Sequence, residues 1–203
     1  MAYSDFSSTD LIKKFGIKFR AENLFANVQE IQPTQWLTES IRKGRELGFG
    51  SEKSRSERLV TPVLLELSDR NNHSFFIYSG VDLNIDEAAG LKGECDFIFS
   101  FSRIQDFVTA PIFCITEAKK QDIEQGTIQA SAQLIGAKKF NESEGYNFNI
   151  IYGCSTTGIE WRFIKYENNE IVLDEERYLL TELPKLLGVL QTIIEITKLE
   201  AKR

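Results

Sequence analysis

The spacing of apolar residues changes period several times along the chain, and each change marks an element. The stretch "QPTQWLTESIRKGRELG" (32–48) reads as a helix, with Pro33 in its first turn and Gly48 as its stop. "SEKSRSERLVTPVLLELSD" reads as a second helix from Ser51, a capping residue, to about Leu67. Leu59, Val63 and Leu67 recur on one face, and Glu52 falls seven residues before Leu59 on that face. Pro62 lies inside this pattern and predicts a kink or a late start.

The period then falls to two. "HSFFIYSGVDLNI" predicts one or two strands. "GECDFIFSFS" (93–102) alternates Cys95, Phe97, Phe99 and Phe101 against Asp96, Ile98 and Ser100. "PIFCITEAK" is the next strand and most simply pairs antiparallel with its predecessor. "DIEQGTIQASAQLIGAKKFNE" returns to helical spacing. "YNFNIIYGCST" is an almost continuous apolar strand, as expected where both sheet faces are covered. "IEWRFIKYENNEIVLDEERYLL" predicts two strands around Asn168-Asn169, and "TELPKLLGVLQTIIEITKLEAKR" a closing helix. This order predicts an α/β fold, a mixed sheet flanked by helices, in one domain of 203 residues.

Charge and cysteine usage narrow the classes. The net charge of −6 argues against a protein that coats nucleic acid through bulk charge. One local stretch departs from it: 42–58 holds six basic residues against three acidic ones, among them Arg42, Lys43, Arg45 and Arg55. Alone, that stretch reads first as a solvated loop and helix face. Cys95, Cys114 and Cys154 sit in apolar, strand-like contexts without metal-ligand spacing, and read as reduced core thiols of a cytoplasmic protein. No run is long and apolar enough to span a bilayer, and the first residues lack a signal-peptide pattern.

The candidate chemistry lies in "FCITEAKKQ" (113–121), an apolar strand that ends in Glu117-Ala118-Lys119. Glu117 and Lys119 point to one face and Ala118 to the other. If the two strands pair in the right register, Asp96 converges with Glu117, with Lys119 beside them. Two carboxylates there offer hard oxygen ligands for a divalent cation, and a lysine can offset charge that develops in a transition state. Glu-x-Lys by itself is also what a solvated strand end looks like.

The order helix with Glu52, strand with Asp96, strand with Glu117-Ala118-Lys119, helix "GTIQASAQLIGAKKF" resembles the PD-(D/E)XK, or restriction-endonuclease-like, superfamily. The opening helix is similar to that of type I restriction R-subunit N-terminal domains. "STTGIEWRFIKY" is similar to a T-T-G-x-x-W-x-F stretch of small stand-alone relatives, many cyanobacterial. The resemblance spans about 51–157 and implies a nuclease core there, with a helical extension over 1–50 and a C-terminal hairpin and helix over 158–203. It implies Asp96 and Glu117 as metal ligands, Lys119 as the catalytic lysine, Glu52 as the helix carboxylate and Gln129 as the helix glutamine. Cys95 stands where the superfamily often has proline. Glu57 competes with Glu52, and Gln133 competes with Gln129 at a spacing that lets both face the site.

The expectation is therefore a Mg2+-dependent nuclease, with Mn2+ as substitute, acting on DNA; Arg42, Lys43, Arg45 and Arg55 would contact the nucleic acid. Specificity would come from a homodimer or a protein partner. The alternatives are a catalytically silent DNA-binding or regulatory protein, or a nuclease subunit active only within a defence or excision complex. Three further expectations are a flexible loop over 79–94, core packing or base stacking by Trp161, and phosphate contact or helix-end placement for Lys138 and Lys139.

Overall fold

One mixed sheet organises the chain. The structure is a computed structural model that describes residues 1–201. After a short turn at Tyr3–Asp5, the order is α1 (Ser8–Phe15), β1 (Lys18–Glu22), α2 (Gln35–Glu46), α3 (Glu52–Arg55), a π-helical turn (Ser56–Val60) and α4 (Thr61–Arg70). Then come β2 (Phe76–Asp82), β3 (Glu94–Ser100), β4 (Ile112–Ala118), α5 (Ile123–Ser143), β5 (Ile150–Thr156), β6 (Glu160–Glu167), β7 (Glu170–Asp174), β8 (Tyr178–Leu179) and α6 (Leu183–Glu200). The sheet order is β1-β7-β6-β5-β4-β3-β2, with β8 beside β6. β3 runs antiparallel to β4, while β5 runs parallel to β4, which requires the crossover that α5 supplies. α5 packs on β4, β5 and β6; α6 packs on β5 and on α4, which also meets α2. The α/β class and the flanking helices agree with the sequence pattern.

Local chemistry explains most boundaries. Ser51 caps α3, its side chain accepting from the Ser54 N–H. Helix then runs unbroken to Arg70, past the predicted end at Leu67. Pro62 does not break it, because the turn before widens: the Thr61 N–H donates to the Ser56 carbonyl, five residues back. That turn makes room for a ring that would otherwise meet the preceding carbonyls. Leu59, Val63 and Leu67 are buried, as their spacing predicts. Pro33 lies outside α2 rather than in its first turn, since Thr34 is the cap and accepts from the Leu37 N–H at 3.2 Å. Asn168 and Asn169 both take positive φ, which a tight β6–β7 hairpin demands.

One expectation changes. Residues 1–50 are not only a helical extension: β1 pairs in parallel with β7, Lys18 opposite Glu170 through Glu22 opposite Asp174. Trp161 and Phe163 are fully buried and pack in the core, which leaves Trp161 no face for base stacking. All three cysteines are buried and free. No helix among the described residues is long and apolar enough to cross a membrane.

Candidate active site

The β3–β4 register brings the carboxylates together. Phe97 pairs with Thr116 and Ile98 with Ile115, so one further step sets Asp96 opposite Glu117 on a shared face. Asp96 Oδ2 accepts from the Ala118 N–H at 2.7 Å. The Lys119 N–H donates to the Thr156 carbonyl at 2.7 Å, which extends the β4–β5 pairing one residue past the strand. This keeps Lys119 on the side of Glu117, and its Nζ donates to Glu117 Oε1 at 2.8 Å. Glu52 Oε1 lies 4.0 Å from the same ammonium.

Helix α5 closes over this group. Gln129 donates to Glu117 Oε1 at 2.6 Å and Gln133, one turn on, to Oε2 at 2.8 Å. With Lys119 that makes three donors on Glu117, of about four lone-pair sites that a carboxylate offers. Gly126, one turn earlier, permits the close approach: a Cβ there would collide with Ser155 Oγ and lie 2.8 Å from Lys119 Cγ. Both glutamines meet the site, so neither excludes the other. Between the glutamates, Glu52 approaches Lys119, whereas Glu57 pairs with Lys53 at 3.9 Å.

Burial dominates the electrostatics. Glu117 is 3 % exposed. Desolvation, then the neighbouring Asp96, push its carboxyl up to about 7, against the pull of Lys119 and Gln133. Burial also raises Asp96, although the Ala118 N–H and Lys119 act the other way. Burial opposes the charge on Lys119, but Glu117, Glu52 and Asp96 outweigh it and hold the ammonium above its usual range. The result is a charged lysine beside an acid pair that retains a proton near neutrality. A cleft of about 500 Å3 opens on Asp96, with Glu52, Glu57, Lys53 and Glu94 on its walls.

The expected basic contacts are placed differently. Arg42 is held by Glu39, at 2.9 Å, and by Glu46; Lys43 lies 3.6 Å from Glu39. Arg42, Lys43 and Arg45 do not line the Asp96 cleft. Arg55 serves the fold: it donates to the Thr157 carbonyl at 2.9 Å and sits 5.1 Å over the Phe49 ring. It thereby ties α3, and Glu52 with it, to the loop after β5. The 79–94 segment is tied down as well, Asp86 pairing with Lys139 at 3.0 Å and Asn84 accepting from the Gly93 N–H. Lys138 donates to the Phe148 carbonyl at 2.7 Å.

Sequence reasoning passes over Gly126 and Ser155. An isolated glycine inside a helical pattern is the signal that points to the first. Among the described residues no three His, Cys, Asp or Glu side chains form a ready metal-binding group; the carboxylate pair is what exists. Comparison with protein-family models, curated proteins and solved structures finds no match to this chain.

Proposed function

We propose that this protein is a divalent-cation-dependent nuclease that hydrolyses DNA phosphodiester bonds, on a restriction-endonuclease-like core. The observation that carries the reading is the convergence of Asp96, Glu117 and Lys119 on one face, with Asp96 at the wall of an open cleft. Asp96 and Glu117 would hold Mg2+, or Mn2+ in its place. The pair fits such an ion: magnesium is commonly held by one or two carboxylates and completes its shell with water and substrate phosphate. Asp96 raises the proton affinity of the buried Glu117, and a cation between the two would remove that repulsion. When bound, the ion supplies Lewis-acid charge to a phosphoryl oxygen. Lys119, kept cationic by three carboxylates, orients the attacking water and offsets the charge that develops on phosphorus-bound oxygens. Gln129 and Gln133 hold Glu117 in place through their side-chain amides. Sequence specificity would come from a second copy or another partner.

A second reading is a DNA-binding or regulatory protein without catalysis. What favours it is that Glu117 is enclosed by three donors of the protein itself.

Melting scans and cleavage assays separate the two. At ten times its Kd, a cation that binds only the folded state stabilises it by about 1.4 kcal/mol, which is about 3–6 °C in Tm for a chain of this size. Wild type should show that shift with Mg2+ or Mn2+ at fixed ionic strength and should cut duplex or single-stranded DNA. Asp96→Ala and Glu117→Ala should lose the shift and the cleavage. Lys119→Ala should keep most of the shift and lose cleavage. A wild type with no cation-specific shift and no cleavage of any DNA form leaves the non-catalytic reading.

A further inference from the structure

The carboxylates belong to a longer polar row. Glu117 pairs with Ser155 across β4–β5, and Ser155 pairs with Arg162 across β5–β6. Paired residues share a sheet face, so Asp96, Glu117, Ser155 and Arg162 form one row over four strands. The flanks of Arg162 are apolar, Trp161 and Phe163 being fully buried on the opposite face. Against that setting an arginine needs a partner, and the fold provides none. Arg162 Nε is buried without an acceptor, and its guanidinium makes no hydrogen bond or ion pair among the described residues. The carboxylates that favour its charge are engaged elsewhere: Glu124 and Glu160 by Arg177, the first at 2.7 Å and the second at 2.5 Å, and Asp174 by the Tyr178 hydroxyl at 2.9 Å. Arg177 also repels Arg162, and burial disfavours its charge. Ser155 Oγ, in the same row, has no partner either.

A buried donor edge without an acceptor is costly, and an external acceptor would satisfy it. The shape selects the acceptor: the planar guanidinium edge offers parallel N–H groups that match two oxygens of a phosphate. The distance fits a polymer. Two strand spacings, about 10 Å, separate the backbones of Glu117 and Arg162, which is about three nucleotide rises of ~3.4 Å along one DNA strand. We propose that Arg162 is a second phosphate-binding residue, which holds the DNA backbone two to three nucleotides from the phosphate at Asp96, Glu117 and Lys119 and sets the strand's path around the start of α5, which covers Ser155 between them. This rests on the nuclease reading and adds a strand direction to it. The 42–58 stretch, whose Arg42 is neutralised by its own helix, is not needed for that contact.

The test reads binding rather than cleavage. Fluorescence anisotropy of a labelled DNA duplex and of its labelled single strand is followed through a KCl series, with Ca2+ replacing Mg2+ to suppress cutting. Arg162→Gln should weaken binding about tenfold at low salt and lower the log–log salt slope by about 1, the loss of one phosphate contact. Arg162→Lys should restore the slope, since a point charge still releases a counterion, and recover only part of the affinity. Arg162→Gln with wild-type melting, affinity and slope overturns the subsite and leaves the nuclease reading intact. If Arg162→Gln fails to fold, Arg162→Lys decides: equal affinity to wild type for both DNA forms overturns the bidentate contact. A wild type that neither binds nor cuts either DNA form overturns both readings together.

Discussion

Glu117 concentrates the chemistry of this molecule in one side chain. Its carboxyl is pushed up to about 7 in the folded protein against an ordinary 4.5, because burial and Asp96 disfavour its charge. Between those values the unfolded chain releases a proton that the folded chain retains. Stability from this group is therefore undiminished below about 4.5, falls as pH rises, and is fully lost above about 7. Each tenfold difference in proton affinity between the folded and unfolded chain is worth about 1.4 kcal/mol. Asp96 is displaced in the same direction. In the absence of divalent cations, the Tm of wild type should fall between pH 5 and 8 more steeply than that of Glu117→Gln, which carries no titrating proton. The glutamine also loses a hydrogen bond, but that offset is independent of pH. Parallel curves from differential scanning calorimetry at several pH values would show that Glu117 titrates normally.

At the scale of elements, α5 is the part that makes the site. It delivers two glutamines to Glu117, and Gly126 lets it lie against Ser155 and the stem of Lys119. Alanine is the better helix former at an interior position by about 0.5–1 kcal/mol. Here its methyl group would sit within 2.8 Å of two neighbours, one of them the buried Ser155. Overpacking of that kind costs about 1–3 kcal/mol and displaces what it touches. Gly126→Ala should lower Tm by several degrees and, on the nuclease reading, cut the cleavage rate while Asp96 and Glu117 still give a cation-dependent shift in Tm. Gly50→Ala, where a Cβ meets nothing, is the matched control and should be close to neutral. A Gly126→Ala protein as stable and as active as wild type would show that Lys119 is positioned without α5. The π turn at Ser56–Val60 has a comparable role at the other side of the cleft. It carries the helix past Pro62, and Arg55 beside it anchors the segment that bears Glu52.

The whole molecule is closed by its first residues. Tyr3 is buried against Gly136 of α5 and donates to the Leu83 carbonyl at 2.8 Å. Phe6, Leu11 and Ile17 join the same core, and β1 covers the edge of β7. The outer edge thus formed carries Lys18, Arg20 and Glu22, charges that discourage a further strand from adding. Deleting residues 1–23 would expose apolar core and leave β7 as the edge strand, with Ile171, Val172 and Leu173 between its terminal Glu170 and Asp174. The truncated chain should lose its cooperative melt or aggregate, as followed by calorimetry with light scattering. A truncation that melts sharply near the wild-type Tm would show that the chain from residue 24 onward folds without β1 and the first helix.

What the sequence determined by itself is the local part of this protein. Helical and alternating periods depend on neighbours two to four residues away, so α2, the long α3–α4 helix, β3 to β7 and α5 were legible, as were the Ser51 cap and the Asn168-Asn169 turn. The placement of Glu117 and Lys119 on one face follows from strand alternation alone. Tertiary structure decided the rest, because it depends on segments far apart in the chain. β1 was missed since its partner, β7, lies some 150 residues away and "KFRAE" has no strong apolar alternation. The spacing to Leu59 already favoured Glu52 over Glu57, but only packing brings Glu52 within 4.0 Å of Lys119. Arg42 looked free for phosphate in a basic stretch, but Glu39 and Glu46 take it, three and four residues away on the same helix. The proton affinity of Glu117 and the lack of an acceptor for Arg162 come from burial, which is a property of packing: the same side chains in water would be an ordinary carboxylate and an ordinary cation.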